Sequence, residues 1–500
     1  MIDARGGDDF VHGGAGPDVV RSGAGADRVA VQYDLARDRV ACGTGIDVVT
    51  ADAVDTVAAD CETLSVRIAR DQSASFGAQH ETQVEPDSFS SGRTIVTAFQ
   101  TGRYDSGGAA LTGWATSTDA GATWRSGILP GLSTDAPVPG RYERTSDPVV
   151  ARDAAHGVWL IATLGLVDDE IALLVSRSPD GLRWSPPVVA TGTPGESYDK
   201  EWLACDNGAV SPFRGRCYLA YLETVGGRIA IRRSLDGGLT WSAPVAPDSI
   251  AGLGRFVNGA FPVIRPDGRL VVAVTAMNVF VAFGEDEIGS AASDDGGETF
   301  GVGAVLARVS GQEFSGVRTP LLVTADADAG GTVYVAWADC RFRPDCVGSD
   351  IVLARSADGV VWQPPTRIPV GPLELGEDHF VPGLAVQPGT AGDSARVAVV
   401  YHSWPHQAGC VLEDCPGIEA WVIVSRNGGR SWRARQRLTA EAMPIGWIAN
   451  TGQGRMLGDY VSLSWSAGRP VPVFSLASRP SGGVLRQAIT ATTRLPAAMR

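Results

Sequence analysis

A pattern of eight residues, S-x-D-x-G-x-T-W, recurs along this chain and constrains its fold more than any other feature of the sequence. Six near-copies begin at Ser117, Ser178, Ser234, Ser293, Ser356 and Ser425. Successive copies start about 56 to 69 residues apart, and a regular spacing in this range is typical of propellers and other repeat arrays. The Ser and Asp side chains can bond the backbone of a tight turn, in which Gly adopts a positive φ. The pattern therefore predicts a hairpin turn in every repeat.

Four short apolar runs accompany these octets in each repeat. The first run often opens at a proline, as in Asp147-Pro148 and Val381-Pro382, which is the position of a strand where a missing N–H is tolerated. With 62 Gly and 30 Pro, the composition also favours an all-β chain. Four strands per repeat form the blade of a β-propeller. We predict an all-β fold with a propeller of four-stranded blades over residues 62–500, seven blades being favoured over six, and residues 62–69 closing the last blade.

The first 61 residues carry a different repeat. Residues 13–21 fit the nonapeptide G-G-x-G-x-D-x-U-x, and residues 4–12, 22–30 and 42–50 follow the same frame. Glycines permit the tight turns, and carboxylates are the hard oxygen ligands that Ca²⁺ prefers. We predict a short parallel β-roll over residues 1–61 that binds Ca²⁺, with a metal-free Gly-rich roll as the alternative. The predicted ligands are Asp9, Asp18, Asp27 and Asp47.

Charge and cysteine usage limit the partners and the compartment. The formal net charge of −14 argues against nucleic acid and anionic membranes as partners, and no apolar run is long enough to cross a bilayer. The eight cysteines form close pairs that we predict to be disulfides: Cys42–Cys61, Cys205–Cys217, Cys340–Cys346 and Cys410–Cys415. Disulfides indicate a secreted protein, although no signal peptide follows Met1. The oligomeric state is left open, with a monomer favoured.

The octets resemble the Asp-box (BNR) repeats of the sialidase-like β-propellers over roughly residues 80–490, and the N-terminal nonapeptides resemble the RTX calcium repeats of secreted proteins. In the sialidase-like family the boxes lie on the blade rims, away from the active site, so we interpret the octets as signals of fold. The chain departs from the family in two respects. The F-R-I-P motif is absent, since residues 82–86 read T-Q-V-E-P, and seven blades are predicted where sialidases have six.

The propeller prediction converts the repeat alignment into a list of pocket residues. The first strand of each blade lines the central channel, so the residues that head these strands are expected to converge. The heads are Glu85, Asp147, Glu201, Phe261, Thr319, Val381 and Asp459. Four of the seven are carboxylates, which can divide into an acid and a base, hold a cation, or form structural ion pairs with nearby arginines.

The resemblance to sialidases implies roles for particular residues. That family binds the substrate carboxylate with three arginines, for which Arg144, Arg318 and Arg455 are the best-placed candidates, and Arg341 and His379 are further substrate-binding candidates. A tyrosine acts as nucleophile there, and Tyr460 beside Asp459 could take that role. The catalytic candidates are Glu85, Asp147, Asp199, Glu201, Asp459 and Tyr460.

Together these observations predict a secreted, calcium-associated protein that acts on or binds carbohydrate. If it is an enzyme, a sialidase-like glycoside hydrolase that uses pocket carboxylates and arginines is favoured. Two alternatives stay open at this point: a non-catalytic module that binds glycans or proteins, and a polysaccharide lyase.

Overall fold

The computed structural model describes residues 1–192, 195–247, 256–277, 285–309, 316–373, 376–405 and 416–499. Nearly all of the regular structure is β-strand. Among these residues the helical elements are single 3₁₀ turns at Pro344–Cys346, Gly392–Ser394, Ile445–Trp447 and Ala497–Met499. Over the described ranges, no helix is long and apolar enough to cross a membrane.

Residues 2–67 form a β-solenoid of stacked coils, in which equivalent strands of successive coils pair in parallel. One sheet has the order β1 (Ile2–Asp3), β3 (Val19–Ala24), β5 (Arg39–Thr44) and β7 (Thr56–Val57). The facing strands are β2 (Phe10–His12), β4 (Arg28–Ala30), β6 (Val48–Asp52) and β8 (Thr63–Arg67). Valines from both sheets fill the space between them, together with the buried residues Cys42 and Cys61. The glycines make the coils possible, because a Cβ at Gly23 would lie 1.8 Å from the carbonyl oxygen of Arg5.

The solenoid continues directly into the following strands. β8 pairs in parallel with β6 and antiparallel with β36 (Val484–Arg494), which also pairs with β35 (Arg469–Ser481) and, at one position, with β9 (Gln79–Ser91). From β9 the same sheet continues, in this order, through β10 (Thr94–Arg103), β11 (Ala109–Ser117), β13 (Arg144–Asp153), β14 (Val158–Val167), β15 (Glu170–Ser178) and β16 (Val188–Thr191). The short strand β12 (Arg125–Ile128) also pairs with β11. With β34 (Ser462–Ser466), this sheet contains 15 strands.

The remaining strands form smaller antiparallel sheets. β17 (Tyr198–Cys205), β18 (Cys217–Glu223) and β19 (Arg228–Ser234) form one of them. The next contains β20 (Phe256–Ile264), β21 (Leu270–Met277), β22 (Asp286–Ser293) and β23 (Ala304–Val309). The third contains β24 (Thr324–Ala327), β25 (Val333–Asp339), β26 (Asp350–Ser356) and β27 (Thr366–Arg367). The fourth contains β28 (Glu377–Val386), β29 (Val397–Pro405), β30 (Glu419–Ser425) and β31 (Gln436–Arg437), and a two-stranded sheet is formed by β32 (Ala449–Thr451) and β33 (Gly454–Met456).

The predicted fold class is therefore wrong in its architecture, although the chain is all-β. We expected a β-propeller of separate four-stranded blades after a short roll, with seven or six blades. The structure instead has a β-solenoid of stacked coils whose sheet is continuous with the strands that follow, so that 15 strands share one sheet. The physical reason is that hydrophobic runs reveal how many strands a repeat contains, but they do not reveal which strand edges pair with each other.

The octets form the turns that their composition predicts. In the copy at Ser234, Ser234 Oγ accepts a hydrogen bond from the Gly238 N–H at 2.8 Å, and Asp236 Oδ1 accepts one from the Thr240 N–H at 2.9 Å. Burial opposes ionisation of the Asp236 carboxyl, but its hydrogen bonds outweigh burial and lower its pKa to about 2. Gly238, the glycine of the pattern in this copy, has a φ of 82°, which explains the need for glycine in the turn.

Octets also attach one repeat to the repeat before it. The carbonyl oxygen of Gly237 accepts a hydrogen bond from Arg177 Nε at 2.7 Å, and that of Gly181 accepts one from Thr116 Oγ1 at 2.6 Å. Arg355 donates to the carbonyl oxygen of Gly428 in the same manner, at 2.9 Å. The octets therefore stabilise contacts between successive repeats.

Three of the predicted disulfides are confirmed: Cys42–Cys61, Cys205–Cys217 and Cys340–Cys346. The first closes the last coils of the solenoid, and the second joins neighbouring positions of β17 and β18. The predicted Cys410–Cys415 pair lies outside the described residues.

Candidate active site

The first strands of several repeats share an irregularity at the same place. A register shift interrupts the pairing of β9, β13, β17, β20 and β28 with the strand that follows each of them. The residue at the shift has a positive φ in every case, namely Glu85, Asp147, Lys200, Gly259 and Val381. Such a bulge redirects a side chain, and a positive φ is unfavourable for residues other than glycine. Three of these five positions carry charged side chains, which the bulges bring together.

The bulge residues Glu85, Asp147 and Lys200, together with Asp459 and Arg318, form what we call the Lys200 cluster. Lys200 Nζ lies 2.7 Å from Asp459 Oδ2, 3.0 Å from Asp147 Oδ2 and 4.0 Å from Glu85 Oε1. Arg318 Nε donates to Asp459 Oδ1 at 2.6 Å, and its guanidinium also contacts Oδ2 of the same carboxylate. The carboxylates are almost fully buried, whereas the side chains of Lys200 and Arg318 keep 10% and 19% of their surface exposed.

A layer of neutral hydrogen-bonding groups surrounds the cluster. Ser146 Oγ donates to Asp147 Oδ1 at 2.6 Å, and the amide of Gln100 contacts Glu85 Oε2 and lies 3.1 Å from Ser146 Oγ. Arg103 Nη1 in turn donates to Gln100 Oε1 at 3.2 Å. Because these contacts fix the rotamers of the charged side chains, the geometry of the cluster is held from more than one side.

The carboxyl groups of the cluster differ in their readiness to ionise. Burial, reinforced by the negative charge of Asp147, raises the pKa of Glu85 to about 8. Burial also disfavours ionisation of Asp147 and Asp459, but Lys200 outweighs it and holds the pKa of both below the usual range, with help from Arg318 at Asp459. At neutral pH the cluster therefore contains one protonated carboxyl and two carboxylates. Acid–base catalysis needs carboxyl groups whose pKa values are separated in this way.

Lys200 keeps its positive charge. Burial lowers the pKa of Lys200, but the carboxylates of Asp147 and Asp459 outweigh burial and raise it well above the usual value. The neighbouring Asp199 is less firmly ionised, because burial raises its pKa to about 6 in spite of Lys200. A permanently charged Lys200 cannot act as a nucleophile, so its role is electrostatic.

A cavity of about 400 Å³ adjoins the cluster, and Asp459 and Tyr460 form part of its wall. Much of the remaining lining comes from the first strands of the repeats, including Val150, Leu203 and Val263. A volume of this order is typical of small-molecule sites. The repeats therefore do converge on shared space, even though the sheets are not separate blades.

The predicted catalytic residues fall into two groups. Glu85, Asp147 and Asp459 lie in the Lys200 cluster, and Asp199 adjoins it through its hydrogen bond from the Lys200 N–H at 2.9 Å. Tyr460 is buried, and its hydroxyl donates to the Pro148 carbonyl oxygen at 3.1 Å. Burial raises the pKa of Tyr460 well above its usual value, which opposes formation of the phenolate that a tyrosine nucleophile needs. Glu201 lies behind the cluster in a separate small cavity.

The predicted substrate-binding residues are more dispersed. Arg318 belongs to the cluster, and its backbone N–H donates to the carbonyl oxygen of Arg455 at 2.8 Å. Arg144 lies on the loop side of β13, where its guanidinium stacks 4.3 Å from the centre of the Tyr104 ring. Arg341 pairs with Asp339 at 2.6 Å, and His379 Nε2 lies 3.3 Å from Glu377. The contacts of Arg144, Arg341 and His379 are therefore all outside the Lys200 cluster.

Lys200 is not among the site residues predicted from the sequence, because the repeat alignment placed it one position before the predicted head Glu201. The alignment placed Glu201 at the head of the third repeat because that repeat has no proline to mark the position that Glu85-Pro86 and Asp147-Pro148 share. A signal was nevertheless present in the composition. Lys200 is the single lysine among the 42 Lys and Arg residues of the chain. Arginine is therefore used everywhere else, and the one compact ammonium group lies where three carboxylates meet.

The predicted calcium ligands are used differently in the solenoid. Asp27 Oδ1 accepts a hydrogen bond from the Asp9 N–H at 2.9 Å, and Asp47 Oδ1 accepts one from the Asp27 N–H at 2.8 Å. In each of Asp9, Asp27 and Asp47, the oxygen Oδ2 is buried and has no hydrogen-bond partner. Asp18 lies in a second column, where its N–H donates to Asp38 at 2.7 Å. In the described part of the chain no three His, Cys, Asp or Glu side chains are grouped as metal ligands, so calcium binding stays a prediction.

Comparisons with known proteins give similar solved structures but no family. No protein-family model and no curated protein matches the chain. Similar solved structures include a Hadza microbial sialidase, with 14% identity over 77% of this chain and 73% of that chain and a TM-score of 0.42. The NanB sialidase from Streptococcus pneumoniae has 12% identity over 87% of this chain and 71% of that chain and a TM-score of 0.42. A PL25 ulvan lyase, a polysaccharide lyase, has 13% identity over 85% of this chain and 97% of that chain and a TM-score of 0.44. Membership of the sialidase-like and RTX families stays a prediction.

Proposed function

We propose that this protein is a secreted carbohydrate-active enzyme whose active site is the Lys200 cluster, and that it acts as a sialidase-like glycoside hydrolase. The observation that carries the proposal is the pair of protonation states within one cluster. Glu85 keeps its proton at neutral pH, while Asp147 and Asp459 are ionised. The disulfides support an extracellular location.

Each group has a role in the proposed reaction. The Glu85 carboxyl donates its proton to the glycosidic oxygen as the bond to the leaving group breaks, and a water molecule then adds to the anomeric carbon and gives a proton back to the Glu85 carboxylate. The carboxylate of Asp147 stabilises the positive charge that develops on the sugar ring. Lys200 keeps Asp147 ionised and in place, since its ammonium lies 3.0 Å away.

The partly exposed cations indicate the substrate class. Lys200 and Arg318 are the members of the cluster that reach solvent, and Arg144, the first residue of β13, is half-buried. A sugar that carries a carboxylate would place its negative charge near the exposed parts of these cations, and the planar guanidinium of Arg144 suits a carboxylate. We therefore propose an acidic sugar, with a sialoside as the first candidate.

A non-catalytic binding module is the second candidate, and one observation favours it. Lys200 and Arg318 together pair with both ionised carboxylates, so the cluster is electrically balanced in the absence of substrate. Buried ion pairs of this kind also occur as purely structural features. In that case the cations at the surface would bind an acidic glycan without breaking it.

The test is a panel of chromogenic aryl glycosides that includes a sialoside, assayed with the full chain. We expect turnover that Glu85→Gln lowers by about 10²- to 10⁴-fold, since removal of a general acid has an effect of this size. Glu441→Gln, a half-buried glutamate elsewhere in the chain, is the control and should keep wild-type activity. Activity that survives Glu85→Gln contradicts the proposed acid. Glycan binding without turnover in the wild type supports the binding module instead.

A further inference from the structure

A second, smaller cavity lies next to the Lys200 cluster. Its volume is about 30 Å³, and its wall contains Asp147, Lys200, Glu201 and Tyr460. Trp202 and Phe261 also line the cavity, with ring centres 4.3 Å apart. A space of this size accommodates a single water molecule when polar groups line it.

Glu201 is the unexplained group in this cavity. Both of its carboxyl oxygens are buried, and neither has a hydrogen-bond partner. A buried carboxylate without a partner is very unfavourable, so such a group takes up a proton. Burial raises the pKa of Glu201 well above its usual value, and the negative charge of Asp147 acts in the same direction.

The surroundings of Glu201 are otherwise simple. The ionisable groups that face it are Asp147 from β13, Asp199 and Lys200 from its own strand, and Tyr460. The two remaining walls contribute Gly259, Ala260, Phe261, Leu322 and Val323, none of which titrates. Lys200 already contacts Asp147 and Asp459, so no cation in the wall is left to neutralise an ionised Glu201.

We propose that Glu201 is a neutral carboxylic acid that holds one water molecule in this cavity and serves as a proton reserve for the Lys200 cluster. The proton moves from the Glu201 carboxyl to the water while the water passes one of its own protons to Asp147, so that the water is regenerated and Glu201 becomes a carboxylate. The reverse step restores Glu201. The relay deepens the proposed function and rests on it, but the neutral state of Glu201 does not, and the two can fail separately.

The closing experiment measures Tm against pH for the wild type and for Glu201→Gln. A raised folded-state pKa means that the folded chain keeps a proton that the unfolded chain loses above about pH 4.3, so this group lowers the stability of the wild type progressively as pH rises. Glutamine is uncharged at every pH. We expect the two proteins to have similar Tm values near pH 4 and Glu201→Gln to become the more stable one toward about pH 8.

One control variant and one crystal structure make the outcome decisive. Glu143→Gln, at an exposed glutamate, should show a Tm difference that does not change with pH. A crystal structure of the wild type should show one ordered water between Glu201 and Asp147. A pH-independent difference for Glu201→Gln, a less stable variant at neutral pH, or a dry cavity overturns the proposal.

If the proposed enzyme activity is found, the same variant tests the relay. We expect Glu201→Gln to lower kcat several-fold with KM unchanged and to move the alkaline limb of the kcat–pH profile to lower pH, because the Lys200 cluster then regains a lost proton only from solvent. An unchanged profile overturns the relay, while the Tm result still decides the protonation of Glu201.

Discussion

At the scale of single residues, the charge of Lys200 organises the site. It is the only lysine of the chain, it occupies a bulge with a φ of 50°, and its ammonium contacts Asp147 and Asp459. An ammonium group is a compact point charge, whereas a guanidinium is a wide planar fork. The site between three carboxylates therefore suits lysine better than the arginine that the chain uses elsewhere.

Lys200→Met should lower the free energy of unfolding by about 3–5 kcal/mol at neutral pH, because Asp147 is left buried without its cation. The loss should shrink as pH falls, since Asp147 can then take up a proton. The double variant Lys200→Met/Asp147→Asn removes the unpaired charge and should recover part of the loss. Denaturant unfolding at two pH values measures this, and equal effects at both pH values would contradict the ion-pair account.

At the scale of elements, the octet turns have a positive-φ position that glycine occupies in most copies. Gly237, Gly296 and Gly428 have φ values of 68°, 73° and 65° at this position, while the first copy has Ala120 with a φ of 64°. Alanine is strained there. The sequence alone predicts these turns well, because each depends on contacts within eight residues.

Ala120→Gly should therefore raise the free energy of unfolding by about 1 kcal/mol, through relief of the strain at positive φ. Gly237→Ala is the matched change in the opposite direction. It should destabilise the protein, because its Cβ would also meet the side chains of His156 and Val158 at 3.0 and 3.1 Å. Denaturant titration measures both, and a destabilised Ala120→Gly would show that the lost methyl contacts exceed the strain.

The solenoid columns make a second prediction at this scale. Asp27→Asn keeps an oxygen that can accept the Asp9 N–H, so its Tm without calcium should stay close to that of the wild type. Asp27→Ala leaves this N–H without its acceptor and should cost about 1–3 kcal/mol. If Ca²⁺ binds as the nonapeptide pattern predicts, added calcium raises the wild-type Tm and has less effect on Asp27→Asn. Equal responses to calcium in both proteins would contradict a site at this column.

At the scale of the whole molecule, sequence reasoning identified the residues that meet better than the architecture that brings them together. Glu85 and Asp147 were found because a following proline marks their positions. Lys200 was displaced by one residue in the alignment because Glu201, not proline, follows it. Residues 62–69 were expected to lie beside the last repeat, and β8 does pair with β36 across more than 400 residues of sequence. Its second pairing, with β6, joins the solenoid to these strands and was not predicted, because the local pattern of a strand does not show which of its edges pair.

The whole account depends on the convergence of distant carboxylates on one lysine, and the composition provides a direct probe. Lysine labelled with ¹³C at its ε-carbon gives a single side-chain NMR signal from this chain, that of Lys200. We predict that this signal shows a titration step near pH 8 as Glu85 ionises, while the ammonium itself stays protonated beyond the usual lysine range of about 10.4. A signal that titrates only near 10.4, as an isolated lysine does, would show that the carboxylates do not meet there.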